Sequence, residues 1–370
     1  MTTISTDVLQ QSERLFTEGL FQQGKLLLEQ VESEQRDGSW HWQYAKHSSR
    51  LHQYHIARTH FERAWQLAPN ETHGASLVRC LAQMGEIEQA EKLNTELVNA
   101  WPHLDLEAIR EAFTHLKYQR MEQAEKVLMT AWQVNNQSPY LFLTIDFFRR
   151  LQDPNETSIV PAHYRAHERM GPYCEAFDLA LRWRQEFPEM QFLANSTEPL
   201  ILGIDKRNRS GWVAEFGVYF GRSLQLMAQR IHTPLYGFDS FEGLPEDWKA
   251  GEAAGSYSTH GKLPDMPANV ELHVGWFKDT VPAFIAEQTT PASLLHIDCD
   301  LYSSTTEVLE AAHTSLVPGT ILVFDDYLGF PGYQEHEMKA FNDYCRKYSR
   351  RYQMLGVALL SREVVLQIIE

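Results

Sequence analysis

Two runs decide the fold: Leu294-Leu295-His296-Ile297-Asp298-Cys299-Asp300 and Ile321-Leu322-Val323-Phe324-Asp325-Asp326. Each opens on mostly apolar residues over a strand's length and stops at carboxylates, the pattern of a strand buried on both faces of a parallel sheet. Open α/β sheets bind their ligands beyond the carboxyl ends of the strands. Carboxylates gathered at one sheet edge repel unless a cation or shared protons neutralise them. A hard-cation site is therefore the first expectation.

Working outward, Trp212-Val213-Ala214-Glu215-Phe216-Gly217 reads as a strand ending in an acid and a glycine, and Tyr219-Phe220-Gly221-Arg222-Ser223 turns from it into a helix. Leu235-Tyr236-Gly237-Phe238-Asp239 and Val270-Glu271-Leu272-His273-Val274 read as further strands. Residues 352–360 and 364–369 read as a hairpin closing the sheet edge. Helical segments separate the strands, which predicts an α/β doubly wound parallel sheet. The turn Glu215-Phe216-Gly217-Val218-Tyr219-Phe220-Gly221 lacks the G-x-G-x-x-G of a pyrophosphate loop. Its acid suits an amino-acid ammonium or a structural hydrogen bond, and Asp239 is placed to accept from ribose hydroxyls. Residues 245–267, with Trp248, Tyr257 and His260, are too many for an ordinary connection and predict a lid.

The front of the chain repeats itself. Glu88-Gln89-Ala90-Glu91-Lys92 recurs as Glu122-Gln123-Ala124-Glu125-Lys126, Ala57 precedes Ala90 by 33 residues, and Gly24 precedes Ala57 by 33. Pro69 and Pro102 keep the same spacing, and Gly85 falls where a turn between helices belongs. This period resembles the tetratricopeptide repeat, a helix-turn-helix unit whose small residue permits close helix approach. Two readings of the array stand: a concave surface for a protein or carrier partner, or a structure that only packs on the rest of the chain. Trp40, Trp42, Trp65, Trp101 and Trp132 serve as groove anchors in the first and as core in the second. The expected division is a helical repeat domain over 1–151, a linker with connecting helices over 152–209, and the sheet domain over 210–370.

The net charge is −16, and residues 210–370 hold 11 Lys and Arg against 21 Asp and Glu. That balance argues against nucleic acid and anionic membrane as partners. No basic and apolar leader follows Met1, no apolar run is long enough to span a bilayer, and the four cysteines are isolated. A reduced, cytoplasmic setting is expected, and scattered histidines disfavour zinc.

Residues 212–345 resemble class I S-adenosylmethionine-dependent methyltransferases, and more narrowly the macrocin O-methyltransferase type. The resemblance rests on the turn 215–223, on Gly237-Phe238-Asp239-Ser240-Phe241-Glu242-Gly243-Leu244-Pro245, on His296-Ile297-Asp298-Cys299-Asp300-Leu301-Tyr302 and on Phe324-Asp325-Asp326-Tyr327, in that order. It implies that S-adenosyl-L-methionine is held by Glu215, Gly217, Tyr219, Gly221, Ser223 and Asp239, with Ser240 and Phe241 beside the adenosine. Gly275, Trp276 and Phe277 would lie by the adenine, and Asp298 would touch both cofactor and metal. Asp298, Asp325 and Asp326 match the family's Mg²⁺ ligands and Asp300 its general base. The implied reaction is O-methylation of a small polyhydroxylated acceptor, such as a sugar on a natural product or glycan.

Bland readings stand beside these roles. Asp300 can be an acid one layer behind the metal, Asp325 or Asp326 can cap a loop, His296 can be a core histidine rather than a base, and His336-Glu337 can reach the substrate or merely start a helix. Other functions compatible with the sequence are N-methylation, a nicotinamide-dependent oxidoreductase, or a repeat scaffold with an inactive methyltransferase fold. Self-association into a homo-oligomer is left open.

Overall fold

The computed structural model describes residues 6–18 and 20–370. Met1 to Ser5, where a leader was sought, lie outside the described residues. The amino-terminal part is a series of helices: α1 (Thr6–Thr17), α2 (Phe21–Glu29), α3 (Gly38–Arg50), α4 (Tyr54–Leu67), α5 (Glu71–Gln83), α6 (Ile87–Ala100), α7 (Asp105–Lys117), α8 (Met121–Val134) and α9 (Pro139–Gln152). They pack as consecutive hairpins, α1 on α2, α3 on α4, α5 on α6 and α7 on α8, which is a tetratricopeptide-like array. The repeated small residues explain the period. Gly24, Ala57, Ala90 and Ala124 are all buried in the second helix of their hairpins. A Cβ on Gly24 would lie 2.0 Å from the His47 ring of α3. The turns inside the hairpins use left-handed backbone at matching positions, His52 (φ 57°), Gly85 (φ 76°) and Gln119 (φ 57°).

Beyond a loop come α10 (Ala162–Arg165), α11 (Met170–Glu186), β1 (Gln191–Phe192) and α12 (Glu198–Lys206). The sheet domain continues with β2 (Trp212–Phe216), α13 (Arg222–Arg230), β3 (Leu235–Asp239), β4 (Val270–Val274), α14 (Phe277–Glu287), β5 (Ala292–Ile297) and α15 (Tyr302–Ala311). It ends with β6 (Ile321–Phe324), α16 (Glu337–Tyr348), β7 (Tyr352–Val357) and β8 (Val364–Ile368). Strand order is β1-β7-β8-β6-β5-β2-β3-β4. Strands β2, β5 and β6 are buried along their whole length, as their apolar runs require. One face packs on Leu200 and Ile204 of α12 and Leu224 and Met227 of α13. The other packs on Phe284 of α14, Val308 of α15 and Phe341 of α16.

The expected hairpin is present, with β8 antiparallel to both neighbours, so the sheet is mixed. Its place differs from the expectation: it does not close the edge, since β8 inserts beside β6 and β1 pairs parallel with β7 outside it. A two-residue strand carries no periodicity from which it could be read.

The repeats and the sheet share one apolar core. Phe113 of α7 and Phe147 of α9 are buried, and their ring centroids lie 6.5 and 5.1 Å from that of Phe192 in β1. The hairpin turns also meet the sheet domain. The His52 ring stacks on Phe220 at 4.4 Å, Arg230 Nη2 donates to the Gly85 carbonyl at 2.9 Å, and Lys117 Nζ joins Glu91 (2.9 Å) to Glu198 (2.8 Å). Much of this side of the array is thus packed against its own chain. No helix among the described residues is long and apolar enough to cross a membrane.

Candidate active site

The carboxyl ends of β2 and β5 lie side by side where the chain departs in opposite directions along the sheet, the position at which open α/β sheets form a crevice. A cavity of about 580 Å³ opens there. Its lining joins the turn after β2, the ends of β3 and β4, the carboxylates after β5 and β6, and part of the 245–267 segment.

Asp239 organises the first part. Its Oδ2 accepts the backbone N–H groups of Val218 and Tyr219, both at 2.8 Å, and its Oδ1 accepts that of Phe241 at 2.7 Å. Oδ1 retains a lone pair for a further donor while both sites on Oδ2 are taken, and the main work visible here is to fasten two loops together. The glycines of the turn answer to packing within the protein. A Cβ on Gly217 (φ 93°) would fall 1.7 Å from the Asp298 carbonyl, and one on Gly221 (φ 75°) would fall 2.1 Å from Met266 Cε.

The second part is acidic. Asp298, Asp300, Asp325 and Asp326 all face the cavity. Burial, then the charges of Asp325 and Asp300, push Asp298 well above the usual carboxylate range. Burial, then Asp326, does the same to Asp300, which sits in left-handed backbone at φ 62°. Asp325 is raised by burial and by Asp326, while His296 and Arg222 oppose the shift. Ligand atoms of His296, Asp298 and Asp325 lie within 4.8 Å of one another. His296 Nδ1 is 2.7 Å from Glu215 Oε1, and its Nε2 is 3.9 Å from Asp325 Oδ1. Asp326 Oδ1 accepts from Arg362 Nη1 at 2.9 Å. The donor set fits a hard divalent cation: half-buried oxygens, raised in pKa by one another, gain most from a positive charge among them.

Most of the residues expected at the site line this one cavity: Gly217, Tyr219, Gly221, Ser223, Asp239, Ser240, Gly275, Trp276, Phe277, Asp298, Asp300, Asp325 and Asp326. Glu215 and Phe241 do not. Glu215 is fully buried behind the turn, bonded to His296, and Phe241 is 1 % exposed within the apolar layer under α13. Glu215 Oε2 has no hydrogen-bond partner among the described residues. Strand alternation and the left-handed φ of 58° at Phe241 turn these two side chains inward.

Several lining or supporting roles escaped sequence reasoning, which names Glu337 only with His336 as reaching substrate or starting a helix. Glu337, at the start of α16, is fully buried and accepts the backbone N–H groups of Asp300 and Asp326, each at 3.2 Å. Lys249 lies 3.1 Å from the centroid of Trp248, and burial lowers its pKa while Asp326 and Asp300 oppose the shift. His52 reaches the cavity from the repeats. A lone acid before a helical pattern or a histidine in a distant repeat gives no local signal of this kind. The 245–267 segment does cover the cavity: Pro245, Glu246 and Tyr257 line it, and Ser303 Oγ donates to Glu246 at 2.6 Å.

Comparison with known proteins agrees with this geometry. Residues 214–327 match the family model described as a methyltransferase domain. A stretch of 141 residues is 35 % identical to the 8-demethyl-8-(2,3-dimethoxy-alpha-L-rhamnosyl)-tetracenomycin-C 4'-O-methyltransferase of Streptomyces olivaceus, covering 32 % of this chain and 53 % of that protein. A stretch of 72 residues is 38 % identical to the mycinamicin III 3''-O-methyltransferase of Micromonospora griseorubida, covering 20 % of this chain and 26 % of that protein. Among solved structures, a calicheamicin methyltransferase is 21 % identical, with 60 % of this chain and 89 % of that one covered and a TM-score of 0.39. The chain thus spans about half the length of the first relative and a quarter of the second. The match to the methyltransferase domain falls on the sheet domain, from β2 to the loop after β6.

Proposed function

We propose that this chain transfers a methyl group from S-adenosyl-L-methionine to a hydroxyl of a small polyhydroxylated acceptor, a sugar moiety of a natural product or glycan, with the help of Mg²⁺. The observation that carries the reading is the meeting of the 217–223 turn and the strand-end carboxylates in one cavity. Both curated relatives are, by name, O-methyltransferases, and the first acts on a rhamnosyl compound.

The residues divide the work. The 217–223 turn and Asp239 would hold the cofactor's methionine and ribose parts, and Ser240, Gly275, Trp276 and Phe277 its adenosine. Asp298, Asp325 and Asp326 would hold Mg²⁺, with the His296 imidazole fixed beside them by Glu215. The cation supplies Lewis acidity, which makes an acceptor hydroxyl easier to deprotonate. Asp300, raised in pKa, is suited to take that proton at its carboxylate oxygen. Glu337 accepts the Asp300 backbone N–H at 3.2 Å and would fix the loop that carries this carboxylate. Trp248 and Tyr257 of the overlying segment would keep water from the reacting atoms. The repeats over 1–151 and the connecting helices over 152–209 would support the catalytic part over 210–370, in a cytoplasmic setting that suits free cysteines.

Calorimetric titration of S-adenosylhomocysteine, in Mg²⁺ and then in EDTA, tests the cofactor. Radiolabelled methyl transfer to a monosaccharide panel tests the acceptor. Micromolar binding with Mg²⁺-dependent transfer to a sugar hydroxyl is expected. Failure to bind in either buffer, by folded protein, would sink the reading.

A further inference from the structure

A second cavity, of about 270 Å³, adjoins the first between the α3–α4 turn, the end of α5 and the outer side of α13. His52 and Arg222 line both cavities and so form the seam between them. Arg222 acts electrostatically on Asp325 on one side and on His52 on the other. The groove therefore leads from the active-site cavity, beside the turn after β2, out along the repeats.

Its chemistry is unlike that of its neighbour. The first cavity is lined by seven Asp and Glu side chains, whereas no carboxylate lines the groove. Gln53, Gln83, Gln225 and Gln229 line it instead, set among the apolar side chains of Ile56, Met84 and Leu226 and the Tyr54 ring. Each carboxamide offers both donors and an acceptor, the combination that matches a hydroxyl, which also does both. Gln53 Oε1 accepts from Lys25 at 2.7 Å and Gln225 Nε2 donates to the Asp265 carbonyl at 3.3 Å, so these two are held in place while their remaining amide atoms stay available. Burial and Arg222 push the His52 imidazole down to about 4, which leaves the ring uncharged near neutral pH, so it adds no fixed charge to the groove.

We propose that this glutamine-lined groove is an extension subsite that binds the non-reacting sugar residues of an uncharged oligosaccharide or glycoside acceptor, whose terminal sugar lies at the carboxylates. The inference rests on the sugar O-methylation reading and adds a role for the repeats: their α3–α4 turn and α5 supply one wall of the subsite.

The test uses the full chain, with rhamnose, a rhamnose disaccharide and a rhamnose trisaccharide as acceptor probes and dTDP-rhamnose as a charged one. The trisaccharide is expected to exceed rhamnose in kcat/KM by roughly ten-fold or more, as expected for two or more added hydrogen bonds. In the Gln83→Ala/Gln229→Ala variant that ratio should fall toward one, with an unchanged melting temperature. Methylation of rhamnose with no dependence on length would overturn the subsite and leave the proposed function standing. So would a ratio that survives the double substitution, or a preference for dTDP-rhamnose over the trisaccharide. Bound S-adenosylhomocysteine without methyl transfer to any sugar would remove the acceptor reading, and the subsite with it.

Discussion

The fully buried carboxyl group of Glu337 accepts the backbone N–H of Asp300 at 3.2 Å. Its other oxygen accepts that of Asp326, also at 3.2 Å, so one side chain ties the loop after β5 to the loop after β6. Asp300 occupies left-handed backbone that a residue with a Cβ rarely adopts, and such strain persists only where surrounding contacts hold it. Glu337→Ala is expected to lower kcat by roughly ten- to hundred-fold, the scale of a lost buried hydrogen bond or two, with little change in S-adenosylhomocysteine affinity. Glu337→Gln, which keeps one acceptor, should recover part of the loss. Equal effects of both substitutions on affinity and rate would mean that Glu337 only stabilises the fold.

The carboxylates should separate by role. Asp300→Asn is expected to cost about a hundred-fold or more in kcat, as for loss of a general base, while Mg²⁺ still stabilises the protein against heat. Asp298→Asn and Asp325→Asn should abolish the Mg²⁺ response as well as turnover. Full activity in the latter two variants would exclude the metal-assisted oxygen mechanism.

Stability should depend on pH through the same groups. Burial and mutual repulsion raise the folded-state pKa of Asp298, Asp300 and Asp325, so the folded chain binds more protons than the unfolded one. Their contribution is fully present below the unfolded-state carboxylate pKa and is lost as pH rises through the raised folded-state values. In EDTA the melting temperature should therefore fall as pH climbs from the ordinary carboxylate range, and Mg²⁺ should restore it by a margin that grows with pH. Scanning fluorimetry across that range reads this directly, and a margin independent of pH would contradict it.

The shared core predicts a shared unfolding. Phe147 is fully buried against Phe177 (5.2 Å) and Phe192 (5.1 Å). Phe147→Ala should cost about 3–5 kcal/mol, the usual range for a core Phe→Ala change, and lower the melting of repeats and sheet together. Deletion of residues 1–151 should give insoluble protein, because it uncovers Phe177 and Phe192. Two separate thermal transitions, or a soluble folded truncation, would show that the parts fold independently.

Much of this molecule was legible in its residues. Strands β2, β5 and β6 announce themselves as short apolar runs ending in glycine or acid because both faces are buried, whereas β4, at the sheet edge, alternates apolar and polar residues. The period of the helices was readable from Gly24, Ala57, Ala90 and Ala124 because close helix packing tolerates only small side chains there. Strand β1 was not readable, since two residues carry no pattern. The sense of Glu215 and Phe241 was not readable either, because which face of a loop is buried depends on what packs behind it.

The sequence alone therefore determined the succession of strands β2 to β8, the helical period and the two clusters of strand-end carboxylates, all of which follow from local spacing and polarity. Only the tertiary structure decided that His296 joins Asp298 and Asp325 while Asp326 turns to Arg362, that Glu337 braces Asp300, and that His52 enters the cavity from the repeats. Those relations join residues distant in sequence, from 27 between Asp298 and Asp325 to 168 between His52 and Phe220. They depend on how packed layers meet, and periodicity along a chain carries no record of that.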